Sequence, residues 1–211
     1  MLKKKIGKYR KLAEIPMKAA ALVLIAMIAG LSSASAQTPQ AGSVVLPEGL
    51  AGSFPRPGFI ASAGQTSDAA IVKVLANTRL KLNFGYDIAA KPSALEGSHT
   101  LMFVLGASNK GLGAAGLSFE QEVERVKSLI TAAKVSDMKI ISIHTGGSAR
   151  RGEASNQLIA LCVPVSDIVI VVQGGNDDGF FTDLCSRSNV ALFVVPTIAE
   201  AGNVLGSLMA K

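Results

Sequence analysis

Four short blocks carry most of the side chains in this sequence that could do chemistry, and each follows an apolar run. The first holds Ser62, Gln65, Thr66, Ser67 and Asp68, hydroxyls and an amide of the kind that wrap a phosphate in α/β proteins. The second runs from Gly106 to Gly116 and contains Ser108, Asn109, Lys110, Gly111 and Gly113. Glycines at this density allow close backbone approach, and amides exposed before a helix favour an anion. In the third, His144 and Gly146 precede the pair Arg150 and Arg151. Guanidinium grips a carboxylate or phosphate with two hydrogen bonds, so these arginines are the strongest anion-binding candidates. His144 is placed to be a general base or a hydrogen-bond donor, or a strand-end residue satisfied by carbonyls. The fourth block, Asn176, Asp177 and Asp178, suits a polar ligand end, a hard cation or a helix cap.

Familiar cofactor patterns do not fit these blocks. Gly111-Leu112-Gly113-Ala114-Ala115-Gly116 spells GxGxxG. The dinucleotide fingerprint, however, needs its first glycine at the end of the first strand and an acidic residue closing the next. Here Ala107–Lys110 intervene, and the following strand ends in His144-Thr145. Lys110 lies outside a GxxxxGK frame, so there is no P-loop. A flavin wants aromatic walls, and the folded region has no Trp and only Tyr86. No cofactor is expected. Cys162 and Cys185 lack ligand spacing for zinc; they suit either a disulfide or two buried thiols.

The elements that position these blocks follow from hydrophobic periodicity. Phe59–Ala63, Leu101–Leu105, Lys139–Ile143, Asp167–Val172 and Val190–Val195 read as strands, with a weaker one over Asn83–Ile88. The strong strands are continuous apolar runs, the mark of strands buried on both faces. Helices are expected over Ala69–Leu80, Ser118–Val135, Glu153–Leu161, Phe180–Ser188 and from Pro196 to about Met209, with a short helix or turn over Lys91–Gly97. Ser118 and Gln121 form a capping box at the start of the second. Such alternation predicts one α/β domain, a three-layer, doubly wound parallel sheet of about six strands. The short second strand suits an edge, which favours the flavodoxin-like order 2-1-3-4-5-6 over the dinucleotide-binding Rossmann order. All four polar blocks then fall on the carboxyl edge of the sheet, where open α/β folds bind ligands.

Charge is concentrated at one end. Residues 1–36 hold seven of the 21 basic side chains and only Glu14 of the 15 acidic ones, so the rest of the chain is neutral despite the overall +6. With no basic stripe and no aromatic cluster, a nucleic-acid partner is disfavoured. The basic start, the apolar run Ala19–Ala29 and Ala34-Ser35-Ala36 before Gln37 form a secretory signal pattern. That run is short of the roughly 20 residues a membrane span needs. A secreted or periplasmic protein, free of the membrane after cleavage, is expected. Residues 37–58, with Pro39, Pro47, Pro55 and Pro57, read as an extended tail docked only near Val44-Val45-Leu46, and the domain as 59–211.

The blocks SAGQTSDA (62–69), GASNKGLGAAG (106–116), HTGGSARRGEASN (144–156) and GGNDDG (174–179) together resemble a family of exported bacterial domains labelled as a domain of unknown function. The resemblance covers roughly Phe59 to Leu208 and implies a single exported α/β domain, with no activity to carry over. The residues point first to a binding domain for a small polar, anionic molecule. An enzyme of hydrolase or transferase type with His144 as base, and a module that meets another envelope protein, are the alternatives.

Overall fold

A computed structural model of the chain describes residues 46–210. The leader expected over 1–36 and the first nine residues of the proline-rich tail, 37–45, with Val44 and Val45 of the expected docking point, lie outside the described residues. The strands are β1 (Gly58–Ala63), β2 (Gly85–Asp87), β3 (Thr100–Leu105), β4 (Lys139–His144), β5 (Ile168–Val172) and β6 (Ala191–Val195). All pair in parallel, in the order β2-β1-β3-β4-β5-β6, the order expected from the weak second strand. Among the described residues six α-helices accompany them, five between strands and one after β6: α1 (Asp68–Lys73), α2 (Asn109–Ala114), α3 (Phe119–Val135), α4 (Glu153–Cys162), α5 (Phe180–Ser188) and α6 (Ile198–Leu208). The first is shorter than expected, because Val74–Arg79 continue it as a wider π-helical turn.

The continuous apolar runs are explained by a core on each face. Leu101, Phe103 and Leu105 of β3 meet Val126 and Leu129 of α3, Leu158 and Ile159 of α4, and Phe181 of α5. Met102 and Val104 face the other way, among Ala69 and Val72 of α1 and Ala201, Val204 and Leu205 of α6. Every residue of β1, β3 and β5 is buried, so alternation has no solvent side to report.

The folded unit starts earlier than Phe59. Phe54 is buried in the second core, and Leu46 and Leu50 pack against it. Backbone amides of Gly52 and Phe54 donate to Ser207 and Leu208, and Pro55 accepts from the Thr100 hydroxyl. Three apolar side chains spaced through a Pro/Gly stretch suffice to hold it, whereas proline content alone suggested an arm.

One buried ion pair fixes the carboxyl rim. Glu122 of α3 is fully buried, and its carboxylate accepts from the Gly64 amide at 2.7 Å and from Gln65 Nε2 at 3.0 Å. Arg125, one turn on, donates to it through Nε and Nη2 at 2.8 and 2.7 Å. The same guanidinium reaches the Ala90 and Ser62 carbonyls. Helix α3 thereby holds both the end of β1 and the loop behind β2. The pattern was present in the sequence: Glu122 lies four residues before Val126 and seven before Leu129, on the apolar stripe.

Cys162 and Cys185 are free thiols, each buried in the first core. Burial pushes the Cys162 thiol far above its usual range and that of Cys185 up to about 11. Ellman's reagent is therefore expected to find no reactive thiol in the native protein and two after unfolding without reductant; one or none would mean a disulfide. Replacing Glu122 by Gln leaves Arg125 buried without its counter-charge, and chemical denaturation should show a loss of about 3–5 kcal/mol. A loss below about 1 kcal/mol would show that the pair does not hold the rim.

Candidate functional site

Because the strands are parallel, the turns after β1, β3, β4 and β5 share one edge. The structure brings the predicted blocks together there, but it uses many of their polar groups internally. Ser62, Gln65 and Thr66 are almost inaccessible. The Ser62 hydroxyl accepts from the Thr66 amide, and the Thr66 hydroxyl accepts from the Asp68 amide at the start of α1. Gln65 donates to Ile88 O and to Glu122. These three residues shape the turn and are not open to a ligand. Ser67, at the N-cap of α1, makes no side-chain cap bond.

The glycine block is likewise more structured than an open loop. Ser108 caps α2, accepting from the Gly111 amide at 3.1 Å, and Leu112 inserts its side chain into the protein. Gln65 and Ala107 form an antiparallel bridge that zips the first two turns together. Gly111 faces the Gln65 carbonyl so closely that a Cβ would lie 2.0 Å from it. Gly116, at φ +67°, follows the end of α2 in the left-handed region. Gly113 and Gly116 both face open space, so of the three only Gly111 is held to glycine by its neighbours. The GxGxxG spelling thus arises from packing of a short helix against the β1 turn. Lys110 and Asn109 are exposed on that helix.

Beyond β4 the expected roles separate. The His144 ring is buried against Phe181, with Nδ1 3.0 Å from Leu105 O and Nε2 3.1 Å from Gly147 O. Both nitrogens face backbone carbonyls, so the ring joins β3 to the next turn and presents neither nitrogen to the rim. Arg151 is also committed. Its guanidinium donates to both Asp178 oxygens at 3.1 and 3.0 Å, to Asn156 Oδ1 and to Gly175 O. It stacks over Phe180 and Phe181 as well. Those hydrogen bonds hold the Asp178 carboxyl below the usual carboxylate range. Asn176 caps α5, accepting from Phe181 and Thr182 amides at 2.9 and 3.3 Å. Asp177 stays exposed beside it.

What remains open is a cleft of about 300 Å³ between the β3 and β4 turns, lined by Ala107, Ser108, Asn109 and Arg150–Ser155. Arg150 is its free cation. The side chain is 42% exposed, with Nη2 3.4 Å from Ser67 Oγ and Nε 3.8 Å from Asp68 Oδ1. Gly146 makes room for its stem, since a Cβ there would lie 2.0 Å from Arg150 Cγ. Helix α4 opens into the cleft from Gly152, which offers no side-chain cap to the first amides. Ser155, missed in the sequence, accepts from the Ala107 amide at 2.9 Å and locks the two walls together. Its only signal was a hydroxyl one turn into a helix beside a glycine loop.

The two glycines of the motif make a direct comparison. Gly111→Ala is expected to lower the melting temperature sharply, by about 3 kcal/mol or more in stability, since backbone must move. Gly113→Ala should raise it slightly, by up to about 1 kcal/mol, as an ordinary helix substitution. Equal effects in thermal melts would refute this account of the motif.

No curated protein and no solved structure matches the chain. A family model described as "Domain of unknown function (DUF6305)" matches residues 56–209, from just before β1 to the end of α6, and the chain belongs to that family.

Proposed function

We propose that this is an exported binding domain for a small polar, anionic ligand, held at the carboxyl edge of the sheet in the cleft between the β3 and β4 turns. The observation that carries this reading is the pairing of a free, half-exposed Arg150 with the uncapped amino end of α4 in one concave site. Unsatisfied amides and the helix dipole favour negative charge there, and guanidinium supplies a forked partner. Asn109 and Ser108 line the opposite wall, where they would meet the ligand's polar remainder. Glu153, exposed at the helix start, sets a limit on size: an anion has to sit on the Arg150 side of the cleft. Export is supported by the signal pattern of residues 1–36. An enzymatic reading has less behind it, since both ring nitrogens of the one histidine at the rim lie against backbone carbonyls.

A thermal-shift panel of phosphate, mono-, di- and tricarboxylates, amino acids and sugars tests the reading. A ligand at 100 times its dissociation constant stabilises by about 2.7 kcal/mol, worth roughly 5–10 °C for a domain of this size. The expected result is a shift of that order from an acidic compound, lost in Arg150→Ala while the variant's own melting temperature is little changed. A shift that survives the substitution, or comes only from neutral compounds, would move the site elsewhere.

A further inference from the structure

Among the described residues, two buried side-chain oxygens have no hydrogen-bond partner: Asp68 Oδ2 and Thr145 Oγ1. Asp68 is only 5% exposed and Thr145 8%. Buried polar atoms are nearly always paired, because leaving one unmade costs its desolvation, so each exception asks for a reason. Both lie at the carboxyl rim, on the turns that follow β1 and β4. The two turns meet next to these residues: Thr145 precedes Gly146, and a Cβ on Gly146 would stand 2.6 Å from Asp68 Oδ2. Continuing the alternation of β4 puts Thr145 on the Ile143 side, the face that α1 covers.

Arg150 connects this pair to the cleft. Its stem passes over Gly146, its guanidinium faces Asp68, and the same side chain lines the open site. Two long contacts, 3.4 Å to Ser67 and 3.8 Å to Asp68, are all that hold the charged end. A bidentate partner in the cleft would draw it away, since forked pairing at shorter range is the stronger arrangement. That movement would take the cation away from Asp68, whose Oδ2 already lacks a donor. Among the described residues no three His, Cys, Asp or Glu side chains gather as a metal cage would require. A hydrogen-bond donor is the complement that fits.

We propose that Asp68, with Thr145, forms a second subsite that accepts an ammonium or hydroxyl group of the same ligand whose acidic group meets Arg150, which makes the ligand an amino or hydroxy carboxylate. This rests on the reading of the cleft as an anion site and adds a requirement that the cleft alone does not impose. Asp68 discriminates between ligands, and Arg150 both covers it and exposes it.

The test compares matched acids on the full chain by calorimetric titration: acetate with glycine and glycolate, succinate with aspartate and malate, glutarate with glutamate. For at least one set, the amino or hydroxy member should bind about tenfold or more tightly than the plain acid, the effect of one added charge-assisted hydrogen bond. Asp68→Asn should remove that preference and keep the plain acid's affinity, whereas Arg150→Ala should weaken every member. Thr145→Val, which breaks no internal hydrogen bond, should shrink the preference several-fold and serves if Asp68→Asn does not fold. Equal binding of plain and substituted acids by the unaltered protein would overturn the subsite and leave the anion site standing. So would a preference that persists in both variants. If no member of any set binds, the reading of the cleft itself falls, and the subsite with it.

Discussion

A carboxylate removed from water is tolerated only where donors surround it, and Glu122 is the place where this domain meets that condition. Its four hydrogen bonds come from the Gly64 amide, the Gln65 side chain and the two arms of Arg125. Arg125 in turn ties down carbonyls at Ser62 and Ala90. The rim geometry depends on this cluster, because it ties α3 to the β1 turn that Ser62, Thr66 and the Gln65–Ala107 bridge shape from within. Gly64, at φ +114°, lies so close to the β3 turn that a Cβ would stand 2.3 Å from Gly106 O. Hydrophobic burial would hold α3 on the sheet without the ion pair, but it is non-directional and would not fix that turn.

From this anchor, satisfaction of polar groups spreads along the rim. The β1 turn bridges to the β3 turn through Gln65 and Ala107, and the Ser155 hydroxyl accepts from the Ala107 amide. His144 spans the β3 end and the β4 turn, and Arg151 clamps the β4 turn to the one after β5. Each of these side chains belongs to a type that catalysis also uses. Here their donors and acceptors are consumed by neighbouring loops, which is the ordinary fate of polar groups close to a core. What distinguishes Arg150, Asp68 and Thr145 is that their bonding is left incomplete.

Positions in the loops show why motif spelling was a poor guide. Gly111 and Gly113 occupy equivalent places in the GxGxxG string, yet one touches the Gln65 carbonyl and the other touches nothing. Arg150 and Arg151 are adjacent and chemically identical, and one is exposed while the other is sandwiched between Phe180 and Asp178. Neighbours in a 3₁₀ turn and its exit point in different directions, so the chain path decides between them.

The sequence by itself determined the α/β class, the parallel sheet, its strand order and the edge on which polar residues collect. Those features follow from local periodicity and from short connections, and neither needs knowledge of distant contacts. It also located the capping box at Ser118 and Gln121, which is a bond within one turn. Only the tertiary structure decided which rim residues are free. Whether His144, Arg151 or Asn176 can meet a ligand depends on carbonyls, carboxylates and helix ends up to 39 positions away. The same holds for Glu122, whose partners at Gly64 and Gln65 lie 58 and 57 residues back. Hydrogen bonding is short-ranged in space and indifferent to separation along the chain, so pairing becomes visible only once the sheet has brought its loops to one edge.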